Sequence, residues 1–443
     1  MLRRIIKPIM PNNMYLYPTL RYKRSVLPFN SFKKIFTTMK KNNFFLMLCL
    51  LGTVIFQNCN KQGSDESALG GLYADSSRSG AGLSSGSSGS GSSSGTGSGD
   101  TTKLKAGKLT AGEWNDLANI RMWDSLMGVE DWAKLRILWK MYPKNRQSVR
   151  LTDANGLFLQ DAIVEAFDAT TNQSLWASRT DNIGRAEIFT GFLSNSTPQS
   201  VQFKVTYQGQ TTNLGIFNTT DSVIVRPINV SRVPLSNVDI MLVVDATGSM
   251  GDEINYLKVE FDDVINRVKQ QMANRQLRIG SVFYRDKGDE YVTKAKDFTT
   301  DVSSIQSFVN QQSAGGGGDF PEAVDEAVKV ALEQSWSTQA VTRILFLVLD
   351  APPHDDAESV DKMRKMVEKA SQKGVKIIPI TASGIGKSTE FLMRFSAIAT
   401  NGTYTFVTDH SGIGNPHLKP TVGTYKVEFL NDLMERLILK YAQ

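Results

Sequence analysis

The chain has 443 residues, enough for two or three domains with separate cores, and its 50 basic and 44 acidic residues give a formal charge of +6. Ten of the basic residues and none of the acidic ones fall within 1–58; the remaining 40 basic against 44 acidic residues leave no electrostatic footprint for nucleic acid. Both cysteines, Cys49 and Cys59, also lie near the start, and His354, His410 and His417 form no HExxH pair, so disulfides, Cys-ligated zinc and that type of metalloprotease are excluded from the later chain.

In chain order, residues 1–38 read as a basic extension, untranslated or removed. From Met39 the sequence runs MKKNNFFLMLCLLGTVIFQNC. Two lysines precede an apolar run, Phe44 to Phe56, that is shorter than the roughly 20 residues of a membrane span. That is the layout of a secretory signal, expected over 39–58. Cys59 and a polar tail follow. The segment resembles a bacterial lipoprotein signal of a relaxed kind, with Phe56 and Asn58 at the positions before the cysteine. The resemblance implies acylation of Cys59 and an exported protein anchored to a membrane of the bacterial cell envelope (outer membrane, cell surface or periplasmic face). An uncleaved anchor or ordinary cleavage nearby is the alternative. Residues 59–107 read as a linker whose composition collapses into Ser and Gly between Ser64 and Asp100, a stretch that cannot bury a core and forms a flexible tether.

A Trp-rich helical region is expected over 108–145. Thr110-Ala-Gly-Glu113 has the spacing of a capping box. Trp114, Leu117, Ile120, Trp123 and Leu126 recur at helical intervals, and Trp132, Leu135, Leu138 and Trp139 resume after a possible break at Gly128. The tryptophans could form an exposed aromatic surface for a partner or a face packed on the next domain; packing is the simpler reading. Over 146–234 the period changes to two. Val201, Phe203, Val205 and Tyr207 alternate with polar residues, and Asn155-Gly156 and Asp181-Asn182-Ile183-Gly184 supply turns. A small antiparallel β-sandwich is expected. The run GLFLQDAIVEAFD…LWASRTDNIGRAEI resembles the carboxypeptidase regulatory-like sandwich, and implies a spacer or interaction module.

Over 236–443 strands and helices alternate, the pattern of an α/β, doubly wound domain. Ile240–Val244, Val282–Tyr284 and Ile344–Leu349 read as buried strands. Ile377–Ile380 reads as another, with Pro379 placing it near an edge or strand end. Ile254, Leu257, Phe261, Val264, Ile265 and Val268 form one helical stripe; Val360, Met363, Val367 and Ala370 form a second. The first strand ends IMLVVDATGSM, giving Asp245, Thr247 and Ser249; the fourth ends RILFLVLDAPPHDD, giving Asp350. In a sheet of order 3-2-1-4-5-6 these two strands are neighbours at the switch point, where ligands bind. AGGGGDFPEAV lies between them and turns Asp319 toward the same crevice. Hard oxygens without Cys or His select Mg²⁺, Mn²⁺ or Ca²⁺.

DATGSM, GGGGDFPEA, LVLDAPPHDD and NGTYTFVTDHSGIGNPH together resemble a von Willebrand factor type A domain with a metal-ion-dependent adhesion site. The resemblance implies a divalent cation, Mg²⁺ first, held by Asp245, Thr247, Ser249, Asp319 and Asp350. Asp319 stands where many members have Thr, and a third carboxylate would weaken capture of an acidic partner. Each residue also has a structural reading: Asp319 and Ser249 are at positions that could cap helices. His354 and His410 are expected on the crevice rim, without a nucleophile to serve. Ser383-Gly-Ile-Gly-Lys-Ser-Thr389 imitates a phosphate-binding loop, but Thr381 replaces the glycine that opens that signature. The leading expectation is therefore a non-enzymatic envelope lipoprotein binding a protein or other macromolecule through the crevice. The alternatives are a metal-stabilised scaffold without metal-mediated binding, and a nucleotide or metal-dependent hydrolase.

Overall fold

A computed structural model of the chain describes residues 104–443 apart from Pro143, Asn195, Ser196, Thr220, Asp221 and Asn415. The basic extension, the signal segment, Cys59 and most of the Ser/Gly stretch lie outside the described residues.

The first element is β1 (Thr110–Trp114), a strand where the Thr-x-x-Glu spacing predicts a capped helix start. Tertiary contacts override the local signal. The buried Glu260 carboxylate accepts the backbone N–H groups of Gly107, Lys108 and Leu109 at 2.8–3.1 Å. Glu113, which would close the box, meets Arg436 and accepts from the Thr403 hydroxyl. Helices follow as α1 (Met122–Leu126) and α2 (Glu130–Trp139), divided around Gly128. Trp123, Trp132 and Trp139 are buried, with Trp123 edge-on to Trp132 at 5.5 Å and to Phe395 at 4.6 Å. Those three serve packing; none forms an exposed surface.

β2 (Arg146–Thr152), β3 (Ile163–Asp168), β4 (Ser174–Arg179), β5 (Arg185–Phe189), β6 (Ser200–Tyr207), β7 (Gln210–Asn218) and β8 (Ser222–Pro227) make two sheets, β5-β2-β8 and β4-β3-β6-β7. Val201, Phe203, Val205 and Tyr207 are buried between them, as the period of two requires. One pair departs from the antiparallel expectation. β8 crosses over from the other sheet to lie parallel to β2, a pairing no hairpin could reach.

From Asn237 the chain alternates: β9 (Asn237–Asp245), a 3-10 turn (Gly248–Asp252), α3 (Ile254–Gln271), β10 (Gln276–Tyr284), β11 (Thr293–Thr299), α4 (Val302–Asn310) and α5 (Val324–Glu333). Then come β12 (Ala340–Leu349), α6 (Ala357–Lys373), β13 (Val375–Thr381), α7 (Lys387–Ala399), β14 (Tyr404–Val407), β15 (Val427–Phe429) and α8 (Leu430–Ala442). The sheet order is β11-β10-β9-β12-β13-β14-β1-β15. Counted from β9, its first six strands follow the order 3-2-1-4-5-6. β10, β9, β12, β13 and β14 are parallel, and β11 runs antiparallel at the edge.

Strand β13 is interior and not at an edge, and Pro379 lies near its end at Thr381, the other of the two placements expected. The proline is tolerated because the ladder to β14 begins one residue later, pairing Ile380 with Thr405 and Thr381 with Phe406. The sandwich is fastened to the end of the sheet remote from the carboxyl ends. Arg343 meets Asp161 at 2.7 Å, and Asn401 donates to Asp181 at 2.8 Å. Lys376, buried beside Asp181, donates to the Asn401 carbonyl at 3.0 Å.

Candidate functional site

Because β9 and β12 are parallel neighbours, both release their carboxyl ends on one edge of the sheet. Two consequences follow directly. Asp245 closes β9 with no exposed surface, and Asp350 follows β12 at 5% exposure. Their charges interact, with Asp350 felt at Asp245.

The Asp-x-Thr-x-Ser turn is built around one oxygen of Asp245. Oδ1 accepts the Thr247 backbone N–H at 2.9 Å and the Thr247 hydroxyl at 2.7 Å. The Thr247 hydroxyl lies 3.1 Å from that of Ser249, and Ser249 in turn stabilises the Asp350 charge. Asp245 Oδ2 and Asp350 Oδ1 are buried and have no hydrogen-bond partner among the described residues. The buried Tyr284 hydroxyl lacks a partner in good hydrogen-bond geometry, yet it lies close enough to Asp245 to stabilise that carboxylate's charge. Buried polar atoms are normally paired, so this concentration at one point marks a site built for something besides folding.

The glycine run covers this turn. Gly248 N–H donates to the Gly316 carbonyl at 3.1 Å, and Gly315 N–H donates to the Ala246 carbonyl at 3.0 Å. Gly316 has a φ of +74°, and a methyl there would come within 2.5 Å of the Asp289 carboxylate. Only glycine fits that approach. Between the turns lies a crevice of about 320 Å³, lined by Thr247, Ser249, Gly317, Glu322, Asp350 and Ser383 among others.

Electrostatics follow from burial of several acids in one place. Burial, and then the Asp350 charge, push Asp245 up to about 7. Asp350 is pushed up to about 6, chiefly by burial. Glu322 is pushed up to about 9 by burial, with Asp245, Asp286 and Asp350 adding to it. Hydrogen bonds from Thr247 and Ser249 oppose these shifts without cancelling them. A hard cation would reverse the balance by favouring the ionised forms.

Four of the five expected residues, Asp245, Thr247, Ser249 and Asp350, are thus brought together. Asp319 lines the same crevice from an exposed position on its rim, beside Phe320 at 40% exposure. Neither Asp319 nor Ser249 serves as a helix cap: α5 starts at Val324 after Ala323, and Ser249 lies within the 3-10 turn. His354 Nε2 lies 2.8 Å from Asp286, and His410 Nδ1 lies 3.3 Å from the Thr408 hydroxyl. Neither histidine is among the residues lining the crevice. Ser383 and Gly384, from the loop that imitates a phosphate cradle, form one wall, while Lys387 turns away to Asp131 at 3.4 Å.

Sequence reasoning missed Glu322. Its Pro-Glu context reads as a helix start, yet its backbone N–H donates to the Pro352 carbonyl, beside the end of β12. No local spacing announces that pairing. Among the described residues no three His, Cys, Asp or Glu side chains are gathered into a ready-made metal cluster; the arrangement is two carboxylates with two hydroxyls. That donor set, with carboxylate oxygens left unpaired, suits a hard divalent cation.

Fold and crevice together define a doubly wound α/β domain with an oxygen-lined switch-point site. Residues 239–413 match the von Willebrand factor A domain family, and the chain carries such a domain there. Among curated proteins, an ariadne-like RING finger protein of Acanthamoeba polyphaga mimivirus is 28% identical over 130 residues, covering 29% of this chain and 12% of that protein. An alpha-protein kinase of Dictyostelium discoideum is 29% identical over 119 residues, covering 26% of this chain and 19% of that protein. The chain therefore spans under a fifth of the length of these relatives. Two solved structures are similar at low score. BatB from Bacteroides thetaiotaomicron has a TM-score of 0.32 at 14% identity, covering 46% of this chain and 98% of its own. The pilus adhesin SpaC from Lactobacillus rhamnosus GG has a TM-score of 0.33 at 10% identity, covering 48% of this chain and 30% of its own. Neither bears on what this chain binds.

Proposed function

We propose that this chain is an exported, membrane-anchored lipoprotein whose von Willebrand factor A domain binds a macromolecular partner at a cation-filled crevice. Asp245, Thr247, Ser249 and Asp350 would hold the cation, Mg²⁺ first and Mn²⁺ or Ca²⁺ as substitutes, with Asp319 at the rim where a partner approaches. The observation that carries this reading is the pair of buried, unpaired carboxylate oxygens, Asp245 Oδ2 and Asp350 Oδ1, beside two hydroxyls. A bound divalent cation would supply the counter-charge these acids lack and offer an outward coordination position to an oxygen of the partner.

The protein's own residues prepare that event. Thr247 fixes the Asp245 rotamer through two hydrogen bonds to Oδ1, which leaves Oδ2 without a well-formed bond, with the Tyr284 hydroxyl nearby. The glycine run holds the turn against solvent on one side, and the Ser383 loop walls the other. The role is one of binding, with no nucleophile or general base assigned. Anchoring rests on Cys59 and the signal that precedes it, and the tether would carry the domain away from the membrane surface. No nucleic-acid partner is proposed.

The test is retention of envelope proteins by the immobilised full chain in Mg²⁺ and in EDTA, with Asp245→Asn as control. Retention that needs both Mg²⁺ and Asp245 is expected. Retention indifferent to EDTA and to the substitution would refute binding through the cation. If EDTA lowered only the melting temperature, the metal-stabilised scaffold would replace the adhesive reading.

A further inference from the structure

Glu322 is a buried acid that the four-residue site does not use. Its side chain is 3% exposed and lines the crevice, and Oε2 has no hydrogen-bond partner among the described residues. Leaving a buried carboxylate unpaired is costly, and such a group is ordinarily removed or matched.

Its backbone is fixed from two directions. The N–H donates to the Pro352 carbonyl at 2.9 Å, and Glu322 bridges in parallel to Pro353, just past Asp350. Its side chain also borders the Asp-x-Thr-x-Ser turn. A methyl placed on Gly317 would come 3.1 Å from Glu322 Oε1 and 3.3 Å from Thr247 Cβ, so the carboxylate and Thr247 flank the same glycine. Glu322 is therefore anchored to the loop that carries Asp350 and faces the loop that carries Thr247. Asp319, three residues earlier, is exposed on the rim.

We infer that Glu322, and not Asp319, is the third carboxylate available to a cation in this crevice. This rests on the cation reading proposed above. Among the described residues the acids are not gathered into a finished cluster, so ligation calls for rotation of the Glu322 side chain as the cation enters. The rotation is within the reach of an unbranched chain with no hydrogen bond to break at Oε2. With three carboxylates facing a dication the protein shell carries net negative charge, so a partner's neutral oxygen completes it better than a carboxylate does.

Mn²⁺ alone is the probe, titrated into the full chain by calorimetry and by loss of the free-ion paramagnetic signal. Glu322→Gln is expected to weaken Mn²⁺ binding by roughly tenfold or more, the scale on which even supporting residues of metal sites act. Asp319→Asn is expected to stay within about twofold of the parent, as an exposed charge should. Glu322→Gln is isosteric and breaks no hydrogen bond at Oε2, so its melting temperature in EDTA should match that of the parent, showing that the fold is intact. Loss of affinity in Asp319→Asn but not in Glu322→Gln would overturn the inference, as would unchanged affinity in both. If Asp245→Asn abolished binding while Glu322→Gln did not, the cation site would stand and the role of Glu322 would fall. If the parent chain bound no Mn²⁺, both would fall.

Discussion

Asp245→Asn separates the charge of this residue from its architecture. The amide oxygen can still accept the Thr247 N–H and hydroxyl, so the turn keeps its shape while the buried negative charge disappears. Without a cation, burial and then the Asp350 charge push Asp245 up to about 7 by opposing its ionisation. A carboxyl group with a higher pKa in the fold than in the unfolded chain binds more protons when folded. Its stabilising contribution is therefore greatest at low pH and is lost as pH rises from about 4 through about 7. A displacement of about three units at about 1.4 kcal/mol each sets a ceiling of roughly 4 kcal/mol. An unfolding entropy of about 2.1 cal/mol/K per residue over about 330 described residues converts that ceiling into about 6 °C. Melting followed by calorimetry at pH 8 in EDTA should thus place Asp245→Asn above the parent by up to about 6 °C. Saturating Mn²⁺ at about a hundred times Kd adds about 2.7 kcal/mol to the parent, about 4 °C, and nothing to the variant. A variant that melts lower than the parent in EDTA, or that still gains from Mn²⁺, would refute the reasoning.

Other outcomes follow from the same physics. Mn²⁺ affinity of the parent should rise at least about twentyfold between pH 6 and 8 in a calorimetric titration, because the metal must displace protons from Asp245, near 7, and Asp350, near 6, and more steeply if Glu322, pushed up to about 9, is also a ligand. Arg394→Met would strip the buried partner from Asp116 and Glu390, which it meets at 2.7 and 3.3 Å, and should cost roughly 3–5 kcal/mol in urea unfolding. Lys387→Ala removes only an exposed pair with Asp131, so stability should change by less than about 0.5 kcal/mol and Mn²⁺ binding should be untouched. ATP turnover that depended on Lys387 would instead revive the phosphate-loop reading.

What the sequence disclosed and what it hid divide along physical lines. Continuous apolar runs mark β9 and β12 because both faces of those strands are buried, and their ends place Asp245 and Asp350 without further information. The helical stripe of α3 is equally plain, since its buried residues recur at one-turn spacing. β1 escaped because its pairing with β14 and β15, and the grip of Glu260 on the preceding backbone, join residues some 150 to 300 positions apart. The edge strand β11, with half-exposed Lys and Thr residues, carries no apolar signature at all. Glu322 was hidden for a related reason: its local context describes a helix start, whereas its burial is decided by a backbone bond to Pro352, thirty residues away. Asp319 was legible from its loop and does line the crevice, but its exposure on the rim is a tertiary property that no local spacing announces.

The central claim is that a divalent cation sits between the ends of β9 and β12. The most direct measurement is anomalous diffraction from crystals of the protein soaked in Mn²⁺. One strong peak is expected among Asp245, Ser249 and Asp350, lost when Asp245 is replaced by Asn. A crevice without anomalous density, its carboxylates still unpaired, would contradict the account.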